Sequence, residues 1–388
     1  MTLTETERKR LLEIAQDLIR LESDSMQGHE GAVGGYIDTF YRRLGIESRK
    51  QICDGDRANI VARIPGKSDK HCIMYSGHID TVPIGDAKLW KSAPLNPQIR
   101  EGRLYGRGSC DMKGSIACAM YAAEYMQKHH LRPECSLLFV YDVDEENANL
   151  GLRQYLETPD KADFVIVGEP TNLQPAVGHR GVMAFTVTIQ GKSCHAGQAE
   201  LGKNAVYAAA DVIDAIRELQ RDLEKITQIY LGSPSIHVTQ IQGGSKVNVV
   251  PDKAVLRIDR RLVFGEDEKS SSKQLAIVLE KVQEKSGCGC RMEVTTYCPP
   301  GITDEGLPAL RFISRLLDAK RMDSVPKAFE ASCEAGMLQG KLGIPVVIWG
   351  PGSIEQAHKI DEFIELEQLY KGAELFTELF LHLNSRMI

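Results

Sequence analysis

Between about residues 181 and 296 the hydrophobic pattern changes its period, and that change divides the chain. Before it, short apolar runs alternate with helical spacing. Asn59–Ile64, Cys72–Ser76, Ser136–Tyr141 (SLLFVY) and Phe164–Val167 are bounded by polar or glycine residues and predict strands. Glu5–Glu22 carries Leu11, Ile14, Leu18 and Ile19 at helical spacing. Lys113–Gln127 is rich in Ala and Met, with no breaker after Gly114, and predicts a second helix. Helices between apolar strands imply an α/β sheet covered on both faces. In such sheets functional groups gather at the carboxyl ends of strands.

Inside the interval, Val182–Gln190 (VMAFTVTIQ) alternates with period two. A helix over about 204–223, strands at 235–242 and 254–263, a helix at 271–285 and a strand at 292–296 follow. That order, βαββαβ, is a ferredoxin-like unit. Its length, roughly 110 residues, suits a small domain. Alternation then resumes with a helix at 309–317, a strand at 346–349 and a helix at about 366–383. The predicted architecture is a discontinuous α/β domain from segments 1–180 and 297–388, with 181–296 inserted.

Charge and composition remove several functions. The net charge of -6 is spread without a basic block, which argues against nucleic acid as a partner. No run reaches the roughly 18 apolar residues of a membrane span. The start of the chain, MTLTETERKRLLEIAQDLIRL, reads as an amphipathic helix rather than a signal peptide. With ten cysteines and no CxxC pair, the expectation is free thiols in a reducing cytoplasm. Gly66-Lys67-Ser68 and Gly191-Lys192-Ser193 lack the preceding P-loop glycine: Val61 and Thr186 stand there. Gly102–Gly108 lacks GxGxxG spacing, and there is no GxSxG elbow. His29-Glu30 begins an HExx sequence, but Val33 occupies the second histidine's place.

Acid and imidazole groups recur where predicted strands end. His78 and Asp80 form an H-x-D pair after the strand at 72–76, and this spacing puts both side chains on one side of an extended chain. Asp111 immediately precedes the Ala-rich helix, where it could equally serve as a helix cap. Asp142, Asp144, Glu145 and Glu146 put four carboxylates in five residues after SLLFVY, either a solvated loop or a site whose repulsion a cation relieves. Glu169 follows FVIV, His195 lies in the inserted unit, and His358 lies in the loop after Val346–Trp349, with Asp361-Glu362 beyond. Each alone could be a polar loop residue. Together they are a sensible donor set for two nitrogen- and oxygen-ligated metals bridged by a carboxylate.

The stretches SGHIDTVP, LYGRGSCDMKG, DEE, GEPT, SCHAG and GPGSIEQAHKIDE resemble, in order and from first helix to last, the motifs of the dinuclear-zinc deacylase and exopeptidase family. That family includes acetylornithine deacetylase, succinyl-diaminopimelate desuccinylase, aminoacylase and glutamate carboxypeptidase. The resemblance implies a metallopeptidase-like catalytic domain whose inserted ferredoxin-like unit serves as lid and dimerisation domain. It implies that His78 and Glu169 bind one metal, that Glu146 and His358 bind the other, and that Asp111 bridges them. Asp80 would orient His78, Glu145 would be the general base, and His195 would stabilise the oxyanion in the other subunit of a homodimer. Arg261 matches the arginine for the substrate carboxylate, with Arg260 as a competitor, and Asn248 matches a lid residue near the substrate. One departure is Asn147-Ala148-Asn149-Leu150, where relatives often carry small residues and glycine; it bears on the loop's backbone shape.

The resemblance implies a cytoplasmic hydrolase of a linear amide, with two divalent ions: zinc first, cobalt or manganese next. The closing GPGSIEQAH favours an acetylornithine deacetylase-like removal of an acyl group from an N-acyl amino acid. A desuccinylase-like deacylase and a dipeptidase or carboxypeptidase are the alternatives. A catalytically silent binding protein ranks last, because every matched position is filled.

Overall fold

The structure is a computed structural model and describes residues 1–388. The chain forms two compact units, one from Met1–Gly178 with Ile302–Ile388, the other from His179–Gly301.

The first unit is built on a nine-stranded sheet. Its order runs Glu47–Asp54, Arg57–Ile64, Cys135–Asp142, Ser68–His78, Phe164–Val167 and Val346–Ile348, with short strands beyond. The Ser68–His78 strand pairs in parallel with Cys135–Asp142 on one side and Phe164–Val167 on the other, and Val346–Ile348 is parallel to Phe164–Val167. Four neighbouring strands thus point their carboxyl ends to one edge. Every residue of Cys135–Asp142 and Phe164–Val167 is buried, as central parallel strands require. Side chains alternate between two cores. Tyr75, Phe139 and Tyr141 face Tyr41, Phe376 and Phe380 of the helices Gly31–Arg43 and Leu366–His382. Met74, Leu138, Val140, Val165 and Val167 face Leu152, Tyr155 and Leu338 on the opposite side.

The second unit has a four-stranded sheet ordered Ser235–Gly243, Lys253–Leu262, Gly181–Gln190, Gly289–Cys298, with every pair antiparallel. With helices Ala205–Leu223 and Glu268–Ser286 this is the ferredoxin-like arrangement. Gly181–Gln190 alternates as its sequence predicts: Met183, Phe185, Val187 and Ile189 are buried against Val212, Ile216, Leu275 and Leu279 of the helices. Asn204 begins the first helix by accepting the backbone N–H groups of Val206 and Tyr207 at 2.9 and 3.2 Å. The structure adds elements that the periodicity does not single out, among them the helices Gly31–Arg43 and Ala335–Leu342 and the strand Glu47–Asp54.

Candidate active site

Four parallel strands deliver the acids and imidazoles to one edge. His78 is the last residue of its strand. The Asp144–Glu146 turn follows Cys135–Asp142, Glu169 comes two residues after Phe164–Val167, and His358 closes the loop after Val346–Ile348. Asp111 lies between two histidines. Its Oδ1 is 3.2 Å from His78 Nε2, and its Oδ2 is 3.5 Å from His358 Nε2. Glu169 Oε1 stands 3.7 Å from His78 Nε2, and Glu146 Oε1 is 3.0 Å from His358 Nε2. The helix that follows Asp111 starts at Lys113 with Met112 at its cap and no side-chain cap, so Asp111 faces the imidazoles instead of capping.

Two groups of donor atoms result: His78, Asp111 and Glu169, and Asp111, Glu146 and His358, each within 4.8 Å of one another and sharing Asp111. Imidazole and carboxylate donors at this spacing fit a pair of divalent ions bridged by one carboxylate. His78 is set up for ligation. Its Nδ1 donates to the Asp80 backbone oxygen at 3.1 Å, which turns Nε2 toward Asp111 and Glu169, where a bound ion would take the place of its proton. Burial alone would lower the His78 imidazole, but hydrogen bonds to Asp111 and Asp80 outweigh it and raise it well above its usual value. Asp111 and Glu146 hold the His358 imidazole up to about 10. Burial works to raise Asp111, and the hydrogen bonds from His358 and His78 overcome it.

Glu145 belongs to neither group. Burial pushes its carboxyl well above the usual range; His78 opposes that push, while the charges of Glu146, Glu334 and Asp80 add to it. A half-buried carboxyl shifted in that direction holds a proton more readily than a solvated one, as a general base must.

Asp80 acts on the acid loop as well as on His78. Its Oδ1 accepts the backbone N–H of Glu145 at 3.1 Å, and its Oδ2 accepts that of Glu146 at 3.0 Å. Asp144 sits in the left-handed region, with φ 69°. Its carboxylate accepts the N–H groups of Ala148 and Leu150 and the Asn147 amide at 3.1–3.3 Å. Arg57 Nη2 then bridges Asp144 at 2.7 Å and the buried Glu30 at 2.6 Å. Asn149 takes a left-handed conformation, φ 55°, that suits asparagine nearly as well as glycine. The loop without glycine therefore closes by other means.

A second brace joins distant segments. Glu362 Oε1 accepts the backbone N–H groups of Cys110 and Asp111 at 2.8 and 3.1 Å, while Oε2 accepts that of Gly108 at 3.0 Å and Arg107 Nη1 at 2.8 Å. The loop bearing Asp111 is thus held by the segment bearing His358. Gly350 lets that segment approach the Glu169 loop: a Cβ there would lie 2.2 Å from the Gly168 oxygen. His358 is itself left-handed, with φ 63°, a conformation concentrated at functional sites.

The remaining sequence-predicted residues lie in the second unit. His195 is exposed, and its Nδ1 accepts the Gly197 N–H at 3.1 Å, which leaves Nε2 as the donor of the neutral ring. Ala196 N–H to Asn248 O, 3.0 Å, and Val250 N–H to Cys194 O, 2.9 Å, stitch its loop to the one bearing Asn248. Arg260 and Arg261 differ sharply. Arg260 points into the core, 1% exposed, and binds Glu266 and Gln274. Arg261 faces the other way, 39% exposed, and forms an ion pair with Asp259 at 3.0 Å. The signal was present in the sequence: Ala254, Leu256, Ile258 and Leu262 share Arg260's parity.

Glu334 went unnoticed in the sequence. It is fully buried beside Glu169 and Cys333, in a stretch (ASCEAG) that carries no strand-end signature. Burial pushes its carboxyl up to about 7.

The sequence profile of peptidase family M20/M25/M40 matches residues 74–382, which contain every acid and imidazole of the two groups. The chain belongs to that family. It is therefore a metal-dependent hydrolase, as the family resemblance implied. An acetylornithine deacetylase of Vibrio atlanticus is 31% identical over 370 residues, covering 92% of this chain and 94% of the relative. A probable succinyl-diaminopimelate desuccinylase of Staphylococcus epidermidis is 24% identical over 406 residues, covering 97% and 98%. Among solved structures, a tripeptidase from Staphylococcus aureus superposes with a TM-score of 0.81 at 20% identity, covering 96% of this chain and 97% of that one. A dinuclear metal-binding M20 peptidase from Bacillus subtilis gives 0.74 at 18%, covering 97% and 98%. These two show the fold. No helix is long and apolar enough to cross a membrane.

Proposed function

We propose that this chain hydrolyses the amide of an N-acyl amino acid in an acetylornithine deacetylase-like reaction, with two divalent ions, zinc by default. The observation that carries the reading is Asp111, one oxygen toward each histidine, with Glu145 beside the pair and outside both donor groups. The 31% identity to an acetylornithine deacetylase supports the substrate class.

His78, Asp111 and Glu169 would hold one ion, and Asp111, Glu146 and His358 the other. The chemistry that bound ions supply is acidification of the attacking water and polarisation of the acyl carbonyl. Glu145 takes the proton of that water and returns it to the leaving amine. Asp80 and Asp144 keep the Glu145 backbone in place during both transfers. His195 Nε2–H offsets charge on the acyl oxygen, in the site of a second copy. Arg261 offers a planar fork to the substrate carboxylate, and Asn248 lies beside the substrate.

The inserted unit serves as lid and as dimerisation surface. Its edge strand Ser235–Gly243 exposes Ile241, and the neighbouring helix exposes Tyr207, 74% accessible, a combination that invites pairing with a second copy. Ten free cysteines suit a cytoplasmic setting.

The test is a hydrolysis panel of N-acyl amino acids and dipeptides with metal-loaded protein. N-acetylornithine and related N-acyl amino acids are expected to lead. Faster turnover of dipeptides would move the reading to a peptidase.

A further inference from the structure

Glu334 caps the N-terminal end of the helix Ala335–Leu342 without using its side chain. The carboxylate turns inward instead. It is 0% exposed, and neither Oε1 nor Oε2 has a hydrogen-bond partner. One of its oxygens lies within 4.8 Å of donor atoms on Glu169 and Cys333. The residues flanking it, Cys333 and Ala335, are packed into the apolar core with Val165, Val167 and Ile348, so the side chain cannot swing out to water.

A carboxylate removed from water without a donor is among the costliest groups a fold can carry. Its neighbours here make matters worse, since Glu169 is another carboxylate. No arginine or lysine hydrogen-bonds to Glu334, and on the Glu169 side the His78 imidazole stands 3.7 Å from Glu169 Oε1. A cation held beside Glu169 would supply the partner that this carboxylate lacks.

We propose that Glu334 is a further carboxylate of the His78–Asp111–Glu169 cation position, lying behind Glu169, and that it strengthens the hold on that ion. This rests on the two-ion reading above. Outer carboxylates of this kind typically change metal affinity by about 10–100-fold when removed.

The experiment uses the full chain, stripped with chelator and titrated with Zn2+ against a chromophoric chelator, for wild type, Glu334→Gln, Glu334→Asp and Glu146→Gln. Glu334→Gln is expected to weaken one of the two ions about 10–100-fold and leave the other unchanged. Glu334→Asp, which keeps the charge but withdraws it, falls between Gln and wild type. Glu146→Gln weakens the other ion, which shows that the two positions are resolved. Metal-free Glu334→Gln should melt no lower than metal-free wild type, because it removes an uncompensated carboxylate. Wild-type affinity for both ions in Glu334→Gln overturns the inference alone. So does a lower metal-free melting temperature with an unchanged zinc-induced rise, since that is the mark of a packing role. If the wild-type chain binds no divalent ion, the two-ion reading falls and this inference falls with it.

Discussion

His78 and His358 each approach one oxygen of Asp111, yet the first side chain is 1% exposed and the second 54%. The surroundings differ in the same sense. Around His78 stand Asp80, Glu169 and Glu334, all buried. His358 stands on a left-handed residue in a loop and meets only Asp111 and Glu146. One position is a closed acidic pocket and the other is open to solvent. A closed site favours retention of its ion, and an open one favours exchange and access of substrate and water.

The largest expected effect abolishes the comparison itself. Asp111→Asn removes the shared carboxylate, so neither ion is retained in stoichiometric amount and hydrolysis falls to that of metal-free protein. Metal analysis of the purified variant checks this; one full equivalent of retained ion would show that Asp111 is not shared. Next in size, Glu145→Gln should cost on the order of 10²–10⁴ in turnover while both ions stay. Parallel loss of metal and activity would make Glu145 a ligand.

The asymmetry is sharpened by partial stripping. A chelator should remove the ions in two phases, and His358→Ala should lack the fast phase while His78→Ala lacks the slow one. A single phase in the wild type would mean that burial does not set retention.

Arg57→Met tests the frame rather than the ligands. It leaves Glu30 and Asp144 buried without their cation, which costs about 3–5 kcal/mol for a broken buried pair, and it frees the acid loop. Melting temperature and turnover should both fall, with metal content kept. Unchanged turnover would detach the loop's bracing from catalysis.

The smallest effect is in pH. The metal-free chain holds a proton on His358 up to about 10, against an ordinary value of 6.5. Because the folded value is raised, that proton's contribution to stability is complete below 6.5 and is lost as pH rises through about 10. Ion binding must displace the proton, so affinity weakens as pH falls through the same window. Calorimetry near pH 8 in buffers of different ionisation enthalpy should show proton release, and its absence would remove the proton from His358.

What the sequence made legible follows the same division. Residues that end apolar strands, His78, Glu145, Glu146 and Glu169, announce themselves because strand and motif coincide. The ferredoxin-like order was readable because its periods of 2 and 3.6 alternate cleanly. Glu334 was not readable: its role depends on a helix placing it behind Glu169, a contact across 165 residues of sequence. The braces Glu362 and Arg57 were hidden for a related reason, since a carboxylate bonded to backbone N–H groups leaves no mark at the positions it holds. Arg260 and Arg261 were separable in principle by strand parity.

The strand Val346–Ile348 lies beside Phe164–Val167 in the sheet, though the whole second unit separates them in the chain. During synthesis, His78, Asp111, Glu145, Glu146 and Glu169 all emerge well before the segment that carries His358 and Glu362. The inserted unit has its own core and can fold meanwhile. Until residues 302–388 arrive, the Asp111 loop lacks its brace and the second donor group lacks His358. On the proposed ligand assignment, a chain that ended after the second unit would carry the residues of the His78 position and lack the histidine of the other.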